Sequence, residues 1–280
     1  MKTTAELLEW GADLLRSRNV DSPSLSARLL LAHVLDCSLE KLLIVLNDPV
    51  GYEASRRFAE LIQRRSKGEP VAYILGRKEF FGLDFLISAD VLIPRPETEM
   101  IVDLVDKIFD PSDRALFADI GTGSGALAVC IAFRFPLFQG LGCDISYKAL
   151  NVARENALIH GLQDRILFVA SDMGRGIKAD SLDLIVCNPP YLSLSDYEQA
   201  SREVRDFEPE PALLSSAEGL EHIRLLSITA RRVLRQEGVL LLEFGCSQAE
   251  EVKKIFYGWK ELKVLKDLAG RDRIMKAVNP

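Results

Sequence analysis

The sequence predicts an α/β protein: a doubly wound, mostly parallel sheet preceded by a small helical bundle and a short β-hairpin. Three observations predict it. Apolar residues recur at helical spacing from Thr3 to about Gly68, and short apolar runs alternate with helical stretches after Pro111. A glycine-rich segment, Asp119–Gly125, joins the first of those runs to a helix. With 280 residues, 48% of them hydrophobic, the chain can bury the core of one large domain and a smaller companion. The expected division is a helical domain over residues 1–78, a hairpin linker over 79–91 and an α/β domain over 92–280.

The helical part reads as packed leucines: Leu7, Leu8, Leu14 and Leu15, then Leu25, Leu29 and Leu30, then Phe58, Leu61 and Ile62. Ser24 is the expected cap of the second helix, with Pro23 just upstream, and Asn47-Asp48-Pro49 and Gly51 read as turns. The pattern then shifts to Phe80, Phe81, Phe85, Ile87 and Val91 around Gly82-Leu83-Asp84, which predicts a hairpin. The prolines of Ile93-Pro94-Arg95-Pro96 exclude a helix until about Glu97, and a helix through Ile101, Leu104, Val105 and Ile108 follows.

Five strands are expected at Ala115–Ile120, Leu141–Asp144, Ile166–Val169, Leu182–Cys187 and Val239–Phe244. Helices are expected near Ala126–Phe133, Lys148–His160 and Glu221–Arg235. Two further apolar stretches, Leu262–Leu265 and Ile274–Val278, fit a closing antiparallel hairpin and bring the count to seven strands.

A net charge of −6 and a pI near 5.3 argue against a protein whose affinity comes from neutralising nucleic-acid phosphates. The five cysteines are odd in number, widely spaced and mostly set in apolar runs, so they read as reduced core residues. No metal-ligand spacing occurs, and no segment reaches the roughly 18 apolar residues of a membrane span. A cytoplasmic, soluble enzyme without a membrane partner is the expectation.

The glycines of Gly121-Thr122-Gly123-Ser124-Gly125 let the backbone turn sharply and come close to a ligand. Three glycines at alternate positions differ from the G-x-G-x-x-G of dinucleotide enzymes, which seat a pyrophosphate on the helix N-terminus. Asp144, ending the second strand, is placed to accept hydrogen bonds from ribose hydroxyls. Asp172, after the third strand, can reach an exocyclic adenine amine, with Met173 offering an apolar surface to the ring. Acids at Asp119, Asp144 and Asp172 along one sheet edge suit a cationic sulfonium better than an anionic pyrophosphate, which favours S-adenosylmethionine over a nicotinamide cofactor.

Asn188-Pro189-Pro190-Tyr191 closes the fourth strand at the same carboxyl edge, where open α/β sheets bind ligands. An amide, two residues without backbone donors and an aromatic ring form a pocket suited to a planar NH2 group. In this reading the Asn188 side-chain carbonyl and the Pro189 backbone carbonyl each accept one hydrogen from the substrate nitrogen, with Asn188 also beside the cofactor. Tyr191 would stack on the planar group or wall the slot, and Pro190 would stiffen the loop. The bland alternative is a strand-to-helix turn, which both residue types favour. His33, His160 and His222 read as ordinary core or surface residues. Arg56, Arg57, Arg64, Arg65 and Lys67 read as a solvated helix face or, alternatively, as a docking patch.

Most of the chain resembles the HemK/PrmC family, the bacterial-type protein-glutamine methyltransferases that modify peptide chain release factors. The resemblance is carried by Glu69-Pro70-Val71-Ala72-Tyr73-Ile74-Leu75-Gly76, Glu79-Phe80, and Leu92-Ile93-Pro94-Arg95-Pro96-Glu97-Thr98-Glu99. It continues through Asp119–Gly125, Asn188–Tyr191, Phe207-Glu208-Pro209, Ala212-Leu213 and Gly238–Gly245. The resemblance implies a Rossmann-like, seven-stranded class I S-adenosylmethionine-dependent methyltransferase domain. It further implies methylation of the side-chain amide of the glutamine in the Gly-Gly-Gln motif of release factors, with the helical domain gripping that partner, in the vicinity of ribosomes. By the same resemblance Gly121–Gly125 and Asp144 hold the cofactor, Asp172 and Met173 lie by its adenine, and Asn188–Tyr191 receive the glutamine. Family members often carry a bulky aromatic where this chain has Met173. Pro94–Glu99 reads equally as a border of the methyl-donating end or as a rigid connector. The rival reading, methylation of an exocyclic amine on a DNA or RNA base, uses the same planar-nitrogen logic, and the acidic pI weighs against nucleic acid as substrate.

Overall fold

A computed structural model describes all 280 residues, which form two compact units. One comprises residues 1–77 together with 201–207, the other residues 78–200 and 208–280.

The first unit is built on helices α1 (Thr4–Ser17), α2 (Pro23–Val34), α3 (Leu39–Ile44), α4 (Tyr52–Ser66) and α5 (Val71–Leu75). Thr3 caps α1 through a reciprocal pair: its hydroxyl accepts from Glu6 N at 3.3 Å, and Glu6 accepts from Thr3 N at 2.7 Å. Of the apolar residues expected to pack, Leu7, Leu15, Leu30, Phe58 and Ile62 are buried, whereas Leu25 is exposed on the outer side of α2. Two sequence expectations are corrected here. The cap of α2 is Ser22, in a left-handed conformation, and Pro23 rather than Ser24 opens the helix, because proline's fixed φ already matches the first helical position. Arg65 is buried where a solvated face was expected. It shares the core face of α4 with Phe58 and Ile62, and its guanidinium donates to Ser26 Oγ, the Asp21 and Glu69 carbonyls and the Glu203 carboxylate. Arg56 and Arg64 remain at the surface in pairs with Glu53, Glu60 and Glu69.

The second unit begins at Lys78, within the hairpin of β1 (Arg77–Phe80) and β2 (Leu83–Leu86), which is followed by a 3-10 turn at Pro96–Thr98 and helix α6 (Glu99–Ile108). Then come β3 (Leu116–Ile120), α7 (Ala126–Arg134), β4 (Gln139–Asp144), α8 (Tyr147–Ile159), β5 (Ile166–Ala170) and β6 (Leu182–Cys187). Short helices α9 (Leu194–Gln199), α10 (Arg202–Phe207) and α11 (Ser216–Gly219) precede α12 (Glu221–Val233), with α10 belonging to the first unit. Strand β7 (Leu234–Glu243), helix α13 (Ala249–Ile255) and strands β8 (Lys260–Lys266) and β9 (Asp272–Val278) complete the chain.

All seven expected strands of the main sheet are present, in the order β5-β4-β3-β6-β7-β9-β8, and only β9 runs against the others, antiparallel to both β7 and β8. Chain order reverses between β3 and β6, the switch point at which such sheets open a crevice. There Ile120 pairs with Cys143 on one side and Cys187 on the other, and Cys187 pairs with Leu242. The next residues along the chain, Asp144, Gly121, Asn188 and Glu243, therefore stand in one row at the carboxyl edge of the sheet.

Asn156 of α8 is fully buried and joins the hairpin to the glycine loop. Its Oδ1 accepts from Leu86 N at 2.7 Å, and its Nδ2 donates to Leu86 O at 3.0 Å and Ser124 O at 2.9 Å. His160 adds a hydrogen bond to Asp84 O and a ring contact with Phe85. An Asn156→Ala variant leaves several part-buried backbone groups unpaired and should lose about 2–3 kcal/mol, read from the midpoint of urea unfolding.

Candidate active site

The cavity at the switch point is lined by Gly121 and Gly123 from the loop after β3, Asp144 and Ile145 after β4, Asp172 and Met173 after β5, and Asn188 and Pro190 after β6. Asp90, Val91 and Leu92 close one side, and Pro209, Pro211, Ala212 and His222 close another. None of the lining residues is Lys or Arg.

Asp144 lies at the centre of the loop geometry. Its Oδ2 accepts from Gly123 N and its Oδ1 from Ser146 N, both at 2.9 Å, while Ser146 caps α8 by accepting from Ala149 N. Burial pushes the Asp144 carboxyl up, against these backbone donors that favour its charge. A carboxylate has about four acceptor sites, so two remain for hydroxyl donors in the cavity. Gly121 and Gly123 adopt φ of 76° and 54°, and a Cβ on Gly123 would project into open space, so the loop leaves a cradle that a side chain would fill.

The rest of the loop faces away from the cavity. Thr122 and Ser124 are buried, the Thr122 hydroxyl donates to Asp119 Oδ2 at 2.7 Å, and Gly125 packs against Ala153 of α8. Asp119 itself departs from the expected acidic edge. It is buried behind the loop, where Oδ2 also accepts from Ala128 N at 3.2 Å, and it does not line the cavity. The acid at the end of β3 points into the interior because it ties the glycine turn to the first turn of α7. Asp172 is on the cavity wall, paired with Arg175 at 3.1 Å, and Met173 sits beside it with φ of 47°.

Around the tetrapeptide the structure brings together residues that sequence reasoning left apart. Asn188 Nδ2 donates to Thr98 Oγ1 at 3.1 Å, and the Thr98 hydroxyl donates to Glu243 Oε2 at 2.6 Å. The Tyr191 hydroxyl donates to Glu243 Oε1 at 3.2 Å. Pro189 and Tyr191 are not among the lining residues, so from the tetrapeptide Asn188 and Pro190 reach the cavity. Glu243 is fully buried; burial pushes its carboxyl up, opposed by the Thr98 hydrogen bond and by the Arg273 guanidinium. Burial and the neighbouring Glu243 charge together raise the Tyr191 phenol. Glu208, also buried, pairs with Arg95 at 2.6 Å and accepts from Ile93 N, tying the segment before α6 to the cavity wall at Pro209. The signal for Glu243 was a lone charge inside the apolar run Val239–Phe244; Thr98 lay in the proline-flanked segment. His222 lines the cavity with its Nδ1 2.8 Å from Ser215 Oγ, a placement no pattern announced.

Comparison with known proteins decides the family. Residues 6–76 match the model of the PrmC N-terminal domain, and residues 98–207 match that of the methyltransferase small domain. A release factor glutamine methyltransferase of Nitratidesulfovibrio vulgaris is 43% identical over 98% of this chain and 95% of its own length. One from Rhodopirellula baltica is 39% identical over the same shares. The chain belongs to the release factor glutamine methyltransferase family. Among solved structures, the hMettl16 catalytic domain in complex with the MAT2A 3′UTR hairpin 6 superposes with a TM-score of 0.56 at 21% identity, over 78% of this chain and 81% of that one. That likeness is one of fold, the seven-stranded methyltransferase arrangement. No helix is long and apolar enough to cross a membrane.

The buried Asp119 supplies a pH test. Burial raises its carboxyl to about 7, above the ordinary carboxylate value, so between pH 4 and 7 the folded protein binds more protons than the unfolded chain. Its contribution to stability therefore declines as pH rises through that window and is constant above it. Urea unfolding across pH 4–8 should show the Asp119→Asn variant gaining stability relative to the unsubstituted protein as pH rises to 7, then a plateau. The difference between the curves reads Asp119 together with its coupling to the neighbouring Asp144.

Proposed function

We propose that this chain transfers a methyl group from S-adenosylmethionine to the side-chain amide nitrogen of the glutamine in the Gly-Gly-Gln motif of peptide chain release factors. The observation that carries this reading is the Asn188 amide: its NH2 end is engaged by Thr98, which leaves its carbonyl as the acceptor beside a cavity with a glycine cradle and a ribose-suited acid. The names of the relatives supply the substrate class.

The residues fit the cofactor. Gly121 and Gly123 give backbone room, Asp144 offers acceptors to ribose hydroxyls, and Asp172 with Met173 provides a polar and an apolar contact for adenine. The acidic, lysine-free lining favours a cation over a pyrophosphate. When bound, the cofactor supplies an electrophilic methyl carbon on a sulfonium.

An amide nitrogen is a weak nucleophile because its lone pair is delocalised into the carbonyl. Asn188 Oδ1 and the Pro189 backbone carbonyl would each accept one hydrogen of the substrate NH2, holding its plane and stabilising positive charge as it develops on nitrogen. Proline adds no competing N–H. Such orientation contributes up to ~7–11 kcal/mol in the best cases. The methylated nitrogen is strongly acidic and loses its proton to water without a dedicated base. Tyr191, tethered through Glu243, walls the far side of the tetrapeptide. The helical unit, 1–77 with 201–207, is assigned to gripping the release factor, and the reaction to the cytoplasm.

Asn188→Ala should retain cofactor affinity while kcat falls about 10²–10³-fold, the usual loss for one transition-state hydrogen-bonding group. Mass spectrometry of the Gly-Gly-Gln peptide before and after incubation reads the product directly. An unmodified peptide beside methylated nucleic acid would defeat the assignment in favour of a base amine.

A further inference from the structure

We propose that Thr98 and Glu243 are positioning residues that fix which end of the Asn188 amide meets the substrate. The inference rests on the reading that Asn188 receives a glutamine NH2, and it concerns the groups behind Asn188 rather than Asn188 itself.

An asparagine amide has nearly the same shape at both ends and opposite chemistry: one end only accepts, the other only donates. Rotation by a half-turn costs little sterically, yet it would present hydrogens to a substrate nitrogen that itself offers only hydrogens. The structure holds one of the two states. A threonine hydroxyl has a single proton, and that of Thr98 is directed at Glu243 Oε2, 2.6 Å away. Only lone pairs then face Asn188, 3.1 Å distant, so only the NH2 end of the amide fits against Thr98.

Glu243 sets the direction of this chain. As a carboxylate it accepts at both oxygens, from Thr98 and from Tyr191, and has no proton to send back. Burial and Glu97 ahead of α6 oppose its charge, while the Thr98 hydroxyl, the Arg273 guanidinium of β9 and the Tyr191 hydroxyl favour it. Tyr191 returns the chain to the tetrapeptide it started from, so Asn188 and Tyr191 are gripped at both ends through one buried carboxylate. A turn serving only to connect β6 to α9 needs no such arrangement, since a buried charge in an otherwise apolar strand is costly to keep.

The test uses the full chain and four proteins: the unsubstituted enzyme, Thr98→Val, Thr98→Ser and Glu243→Gln. Valine keeps the shape and removes the hydroxyl; serine restores it; glutamine keeps the size and can donate toward Thr98, which reverses the chain. Steady-state methylation of a release factor, calorimetric titration with S-adenosylmethionine, and NMR exchange of the Asn188 side-chain NH2 are measured on each. The NH2 signal is assigned by its loss in Asn188→Ala.

The expected result for Thr98→Val and Glu243→Gln is a kcat about 10- to 100-fold lower, with KM and cofactor Kd within about threefold of the original, as for a loss felt in the transition state. Exchange of the Asn188 NH2 protons should quicken in both, and Thr98→Ser should recover kcat and slow exchange. Unchanged kcat and exchange in Thr98→Val, or no recovery in Thr98→Ser, overturns the proposal. A cofactor Kd raised in step with the loss of kcat also overturns it, because the role would then be structural. If the unsubstituted enzyme leaves glutamine unmethylated, the functional reading fails, and the exchange data alone still decide whether the amide is locked.

Discussion

The register of the parallel strands is the constraint from which the site follows. Ile120 is paired on both sides, with Cys143 and Cys187, and Cys187 is paired in turn with Leu242. A slip of one residue in any of these strands would turn every side chain to the opposite face and remove one member of the row Asp144, Gly121, Asn188 and Glu243. The register is held by packing: Ile120, Cys143, Cys187 and Leu242 are all within the core, so each competing alignment would disrupt close-packed contacts on both faces of the sheet. Precision at the cavity is thus inherited from hydrophobic packing beneath it.

Three buried or part-buried acids at that edge do different work because their partners differ. Asp144 faces the cavity and is oriented by two backbone N–H groups. Asp119 faces inward and holds the glycine turn against the start of α7 through Thr122 and Ala128. Glu243 orders hydroxyls rather than backbone. In each case the cost of burying a carboxyl is partly offset by donors aimed at it, and in each case removing those donors would leave an expensive unpaired group.

The sequence made the sheet legible because parallel strands buried on both faces read as apolar runs, and Leu182–Cys187 was found to the residue. Val239–Phe244 marked only the C-terminal half of β7, which runs Leu234–Glu243, since Arg235-Gln236-Glu237 carries no strand-like pattern. Asp144, Asp172, Met173 and Asn188 were legible as cavity residues because strand ends converge by topology alone. Thr122, Ser124 and Asp119 were not, because a motif states which residues share a loop and leaves open which way each side chain turns. Pro209, Pro211 and Ala212 come from a segment without periodicity, and His222 from the first turn of the expected helix α12; only tertiary packing brings them over the cavity.

The buried Arg65 carries a consequence for how this protein is made. Its carboxylate partner, Glu203, lies in the seven-residue segment 201–207, which belongs to the helical unit although most of the α/β unit's sequence comes before it. During synthesis from the N-terminus, the first five helices are made before Glu203, the counter-charge of this guanidinium, which lies 138 residues after Arg65. The helical unit is thus completed in its contacts only by a segment that follows it far along the chain.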